Sequence, residues 1–174
     1  GAKNQVGCFT RPLAVLLDLA SLATLPRRVI LEGLVEAYKT GLVADPSLAG
    51  TMEQNLSLLM KGDVLGLAQV VKLAAQAKVA VVGEDFRESD RRRILNFGHT
   101  YGHALESHNH YRVGHGRAVA AGMQVAVELS RARGLLADAD AGRMQAVLIK
   151  LARGKMSWPS AKDAWPVMLN DKKN

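Results

Sequence analysis

Apolar positions along this chain recur mostly at helical spacing. After Pro26, which suits a first helical turn, Val29, Leu31, Leu34, Val35 and Tyr38 repeat until Gly41 and predict a helix. Asp45-Pro46 opens a second helix, in which Leu48, Met52, Leu56, Leu59 and Met60 share one face before Gly62-Asp63 closes it. A third, rich in alanine and leucine, is predicted over Val64–Val82. The polar stretch Glu84–Asp90 reads as a loop, and helical character resumes over Ile94–Glu106. The histidine-rich run to Gly116 reads as a helix end and turn. Beyond it come a buried small-residue helix over Ala118–Arg133, an amphipathic one over Ala137–Leu151 and a short one over Ala161–Leu169, after the break at Ser157-Trp158-Pro159. One segment departs from this period: Ala14–Asp18, following Pro12, reads as a short buried strand. The predicted class is mainly α, a helical bundle-like domain with one short strand near the N-terminus.

Composition narrows this without changing it. The 174 residues fit one compact domain, and 48% apolar with 22% charged residues is ordinary for a globular protein with a real core. The longest apolar runs, such as Leu13–Leu17 and Val79–Val82, fall short of the ~20 residues that cross a bilayer. No signal-peptide pattern stands at Gly1, and the lone Cys8 cannot pair internally, so a cytoplasmic protein is expected. The net charge is +7, but its arginines and lysines are scattered and only 5% of residues are aromatic. A nucleic-acid surface is therefore not expected, and an anionic small-molecule substrate explains the charge equally well.

The candidate chemistry is concentrated. All five histidines, His99, His103, His108, His110 and His115, lie within seventeen residues. His99 and His103 are four apart in G-H-T-Y-G-H and share a helical face, while His115 sits in a separate G-H-G turn. His108 and His110 lack this glycine framing and read as surface imidazoles. Glycine beside each of the other histidines permits close approach of a ligand or a backbone, at a cost in helix propensity that needs a reason. Zinc takes nitrogen and oxygen ligands. Spacing alone would put both His99 and His103 on one ion, with a carboxylate from elsewhere; Glu36, three residues before Lys39, is a candidate. The H-E-x-x-H, P-loop, G-x-S-x-G and G-x-G-x-x-G patterns are absent.

The segment R-R-I-L-N-F-G-H-T-Y-G-H-A-L-E over Arg92–Glu106 closely resembles the signature of the 3-dehydroquinate synthase family of sugar phosphate cyclases. The register continues through K-N-Q-V-G at Lys3–Gly7, D-x-x-S-L-A-T-L-P at Asp18–Pro26, E-A-Y-K-T-G at Glu36–Gly41, K-V-A-V-V-G-E-D at Lys78–Asp85 and G-H-G-R-A-V-A-A-G-M at Gly114–Met123. The resemblance implies zinc, or cobalt, on Glu36, His99 and His115, with His103 near the substrate rather than on the metal. It implies that Asn4, Lys39, Lys78, Arg92, Asn96 and His103 contact a doubly anionic seven-carbon sugar phosphate, and that Glu88 organises the basic cluster. His103, Lys39, Lys78, Arg92 and Asn96 are its catalytic candidates. Lys3, Ser21, Thr24 and Leu25 would form this chain's part of an NAD site, and one of Lys172 or Lys173 resembles a late substrate lysine.

The activity so implied is that of an NAD- and metal-dependent lyase of aromatic amino acid biosynthesis by the shikimate route. Transient oxidation of a ring alcohol acidifies the neighbouring proton, phosphate leaves, and reduction and ring closure give 3-dehydroquinate. The family also implies a homodimer and a preceding nucleotide-binding α/β domain. Residues 1–25 then read as the tail of that domain and a linker, and 26–174 as a helical metal- and substrate-binding domain, inactive without its neighbour. Arg117 replaces the family's usual glutamate after the last metal histidine, which would bring a cation near the metal. The competing readings are a related cyclase, of 2-deoxy-scyllo-inosose or valiolone type, and a non-catalytic helical metal-binding module.

Overall fold

The computed structural model describes residue 8 and residues 10–171. After a 3-10 helix at Leu19–Thr24, seven α-helices follow: α1 (Arg27–Ala44), α2 (Pro46–Lys61), α3 (Val64–Glu84), α4 (His99–His108), α5 (His115–Ala132), α6 (Asp138–Leu151) and α7 (Ala161–Leu169). A second 3-10 helix, Arg91–Asn96, precedes α4.

Local chemistry sets most of these boundaries. Asp45 caps α2, its Oδ1 accepting from the Ser47 and Leu48 amides, with Pro46 in the first turn. Gly62 ends α2 in the left-handed conformation, at φ 91. Asp63 caps α3 at the Gly66 amide, and Ser160 caps α7 at the Asp163 amide. The helix α1 lies at the centre, packed by α2, α3, α5 and α6. Its Leu34, Val35 and Tyr38 meet Leu48, Met52 and Leu59 of α2, Leu67 and Val70 of α3, Val119 and Met123 of α5, and Leu148 and Leu151 of α6 in one buried cluster. The buried Tyr38 donates its hydroxyl to Glu53, which also receives Arg143 and so ties α1, α2 and α6 together.

Three expectations are corrected. No strand forms at Ala14–Asp18: the segment is irregular and exposed, and the described residues contain no strand to complete its ladder. The helix predicted over Ile94–Glu106 is two elements, because Gly98 takes φ 79 and breaks the run before His99. His115 is not in a turn but opens α5. The helix α3 is also long and apolar enough, by length and composition, to cross a membrane, with mean hydropathy 1.5. Its Leu67, Val70, Ala77 and Val81 are buried where it packs on α1 and α2.

The closest helix pair, α4 and α5, explains the glycines of the histidine motif. A Cβ at Gly98 would stand 2.8 Å from both the Met123 amide nitrogen and the Val119 carbonyl oxygen, and one at Gly122 would collide with the Gly98 carbonyl. At the start of α5, a Cβ on Gly116 would stand 2.5 Å from Cα of Glu32, so this glycine seats α5 on α1. Gly122→Ala is therefore expected to destabilise the chain by ~1–3 kcal/mol through forced separation of α4 and α5. Gly142→Ala, on an open face of α6 with nothing within 4 Å, is expected to be neutral or to stabilise by ~0.5–1 kcal/mol. Urea unfolding of the two variants checks this, and equal effects would contradict the packing account.

Candidate metal and anion site

The contact between α4 and α5, with α1 beneath, gathers three imidazoles and a carboxylate. Glu36 and Lys39 lie one turn apart on α1; Lys39 is buried and donates to Glu36 Oε2 at 2.6 Å. His99 opens α4 and His115 opens α5, and their ring centroids are 5.3 Å apart. Glu36 Oε1 faces Nε2 of His115 at 3.6 Å and Nε2 of His99 at 3.8 Å. The ligand atoms of these three residues lie within 4.8 Å of one another. His103 falls outside that group, with its ring 5.5 Å from His99 and 6.3 Å from His115.

The hydrogen bonds fix how these groups point. Nδ1 of His99 lies 3.4 Å from the Phe97 carbonyl, Nδ1 of His115 lies 3.1 Å from Glu106 Oε1, and Nδ1 of His103 lies 3.1 Å from Asp171 Oδ2. Carbonyl and carboxylate oxygens only accept, so each Nδ1 is the donor of its contact, and the neutral form of each ring has its lone pair on Nε2. Burial, aided by the Lys39 charge, pushes the His99 imidazole down to about 4 against the pull of Glu36. Burial pushes the Glu36 carboxyl up, but Lys39, His99 and His115 outweigh it and hold it below its ordinary range. The result is an anionic oxygen facing the Nε2 atoms of two imidazoles.

That oxygen decides whether a metal fits. Glu36 Oε1 is buried and has no hydrogen-bond partner among the described residues. Its separations from the two Nε2 atoms exceed a good hydrogen bond, yet approach the ~3.3 Å between neighbouring ligands of one tetrahedral zinc. Two nitrogen donors and one carboxylate oxygen, with further positions left open, also form the donor set of a catalytic zinc site. The residues present fit a divalent cation.

Beside this cluster, a pocket of about 180 Å³ is lined by the expected site residues Glu36, Lys39, Lys78, Glu88, Arg92, Asn96 and His99, together with Thr40 and Leu95. Part of its wall comes from the loop read in the sequence over Glu84–Asp90, in which only Glu88 was given a role. Asp85 Oδ1 accepts from the Ser89 amide, and Oδ2 accepts from the Asp90 and Arg92 amides at 2.8 and 3.0 Å. These bonds, the Asp90 and Ser89 amides foremost, hold its carboxyl well below the ordinary range. The Arg92 guanidinium donates to the Phe86 carbonyl at 2.8 Å. Glu88 takes a positive φ of 59° and accepts from Asn96 Nδ2 at 2.8 Å, so the loop holds two pocket side chains.

Other expected residues are placed differently. Leu25 lines an adjoining apolar cleft with Val29, Ile30 and Val71 that also reaches Glu36 and Lys78. Ser21 and Thr24 line neither cavity, and their hydroxyls donate to the Asp18 and Ser21 carbonyls. Lys3, Asn4, Lys172 and Lys173 lie outside the described residues. Arg117 does not stand over the donor cluster. Two residues beyond His115 it projects ~200° round the helix, donating to the Lys155 carbonyl at 3.0 Å, and the cation acting on Glu36 and His99 is Lys39.

Sequence reasoning also missed Glu106 and Asp171. Glu106 had a signal, since positions 99, 103 and 106 follow one helical stripe. Asp171, which reaches His103 from 68 residues away, stood only as the residue before the late lysine pair Lys172-Lys173.

Residues 33–174 match the family model described as 3-dehydroquinate synthase C-terminal. The 3-dehydroquinate synthase of Rhodococcus opacus (strain B4) is 44% identical over 146 residues, 84% of this chain and 40% of that protein. That of Azotobacter vinelandii (strain DJ / ATCC BAA-1303) is 44% identical over 142 residues, 81% of this chain and 39% of that protein. The chain thus spans about two fifths of the length of these curated relatives. Among solved structures, a 2-epi-5-epi-valiolone synthase from Streptomyces hygroscopicus subsp. jinggangensis 5008, with NAD+ and Zn2+ bound, superposes with TM-score 0.78 at 27% identity, covering 88% of this chain and 43% of that one. A 2-deoxy-scyllo-inosose synthase complexed with carbaglucose-6-phosphate, NAD+ and Co2+ gives TM-score 0.78 at 25% identity, covering 90% and 43%.

The lowered His99 value carries a sign that can be measured. Between pH 6.5 and about 4 the unfolded chain binds a proton that folded His99 refuses, so this residue makes the metal-free chain lose stability as pH falls through that window. His99→Gln is expected to flatten this part of the dependence in urea unfolding between pH 4 and 7. An unchanged slope would place the imidazole in water.

Proposed function

Because the chain belongs to the 3-dehydroquinate synthase C-terminal family, we propose that it is the metal- and substrate-binding part of a 3-dehydroquinate synthase. The activity would convert 3-deoxy-arabino-heptulosonate 7-phosphate to 3-dehydroquinate and phosphate, as a lyase of aromatic amino acid biosynthesis. One observation supports this most: the Glu36 oxygen that has no hydrogen-bond partner among the described residues and faces His99 and His115, beside a pocket lined by Lys39, Lys78 and Arg92.

Glu36, His99 and His115 would hold a zinc or cobalt ion, which when bound supplies Lewis acidity to substrate hydroxyls. NAD, for which Lys3, Ser21, Thr24 and Leu25 are this chain's candidates by resemblance, supplies the hydride acceptor and donor. The chain's own side chains do the remaining work. Arg92, anchored on the Phe86 carbonyl, and Lys78 bind the substrate's anionic groups, arginine through its planar fork and lysine as a point charge. Lys39 neutralises Glu36 and offers a cation at the pocket wall. Asn96, oriented by Glu88, and Asn4 bind hydroxyls. His103 handles protons at Nε2 while Asp171 holds its Nδ1. A pocket of about 180 Å³ is smaller than the ~300–1,000 Å³ of most ligand sites. In this reading residues 1–25 end a nucleotide-binding domain that completes the site above the helical residues 26–174, and the whole enzyme is a cytoplasmic homodimer.

The structural neighbours favour one second reading, a cyclase acting on another sugar phosphate. Supplying the nucleotide-binding half of a homologous synthase in trans distinguishes the two. The expected outcome is NAD-dependent phosphate release from the heptulosonate phosphate and none from glucose 6-phosphate, abolished by His99→Ala/His115→Ala. Arg92→Ala should raise KM at least tenfold while leaving stoichiometric Co2+ binding intact. A folded, metal-loaded assembly that turns over neither substrate would leave only a metal-binding module.

A further inference from the structure

We propose that Glu106 is a positioning residue of the metal centre, setting the tautomer and ring orientation of His115; this rests on the metal reading above. His115 is the more exposed of the two imidazoles in the donor set, with about a third of its side chain in solvent against 8% for His99. It also sits between Gly114 and Gly116, so its neighbours in sequence offer no side chain to hold the ring. His99 is held by burial and by the Phe97 carbonyl. His115 has instead a carboxylate from another helix: Glu106 Oε1 at 3.1 Å from Nδ1, on a side chain only 14% exposed.

The arrangement is directional. The carboxylate engages Nδ1 while Nε2 faces Glu36 Oε1 at 3.6 Å, so the bond to Glu106 leaves the Nε2 lone pair aimed at the proposed ion. Because Glu106 Oε1 lies on the Nδ1 side of the ring, it supports the ligand rather than joining the donor set. A carboxylate behind a ligating imidazole also raises its basicity.

The test uses the whole chain and Co2+ alone. Glu106→Ala is expected to weaken Co2+ binding 10–100-fold in a chelator competition. Glu106→Gln, whose amide oxygen still accepts from Nδ1, should fall between it and the original. A second readout needs no metal: long-range 1H–15N spectra at pH 8 should show His115 protonated on Nδ1 in the original chain and in Glu106→Gln. In Glu106→Ala they should show a shift towards Nε2 protonation. Unchanged affinity and tautomer in a folded Glu106→Ala chain would overturn the proposal; if that variant fails to fold, an affinity loss in Glu106→Gln as large as that of His115→Ala would do so. Failure of the original chain to bind Co2+ would defeat the metal reading, while the metal-free spectra would still decide whether Glu106 sets the ring.

Discussion

The site depends on how closely α4 can approach α5. His99 and His103 ride on one helix and His115 on the other, and their spacing follows from backbones brought together where Gly98 meets Val119 and Met123, and Gly122 meets the Gly98 carbonyl. Gly116 does the same between α5 and α1, the helix that carries Glu36. Any β-carbon at these points would have to be accommodated by moving a helix, and a helix moved by even 1 Å moves its imidazole with it. The glycines weaken the helices that contain them. What they provide is proximity, and the cluster of Glu36, His99 and His115 is its product.

Electrostatics then shapes the gathered groups. Lys39 is buried against Glu36, an arrangement stable only because each charge answers the other. Its positive charge also helps burial to keep His99 neutral, so the lysine acts on the site twice, holding the carboxylate ionised and the imidazole unprotonated. The loop after α3 works by the same logic with backbone amides: Asp85 gathers the Ser89, Asp90 and Arg92 amides and presents Arg92 and Glu88 to the pocket. The result is a cation-lined recess next to an anionic oxygen that has no partner among the described residues.

Much of this was legible in sequence where local chemistry governs. Asp45-Pro46 and Gly62-Asp63 marked α2 because capping and the left-handed conformation are properties of those residue types. Helical spacing also gave the shared face of His99 and His103. On the donor group the two readings parted: equal spacing favoured both histidines, whereas the resemblance favoured His115, and the structure keeps His103 outside the close donor group. The Ala14–Asp18 strand failed because β structure needs a partner that apolar content cannot supply. Gly98 split a predicted helix because its demand for a positive φ comes from the packing of α5, which no local window contains. Arg117 was expected near the metal by its distance in sequence from His115, but helical rotation turns it onto the Lys155 carbonyl. Asp171 joined His103 only through the docking of α7 on α4.

The most direct measurement is X-ray absorption spectroscopy of the zinc-loaded chain. The account predicts a shell containing two imidazoles and at least one carboxylate oxygen, with one imidazole lost in His99→Ala and one in His115→Ala, and an unchanged shell in His103→Ala. A third imidazole that disappears in His103→Ala, or a shell indifferent to all three substitutions, would contradict it.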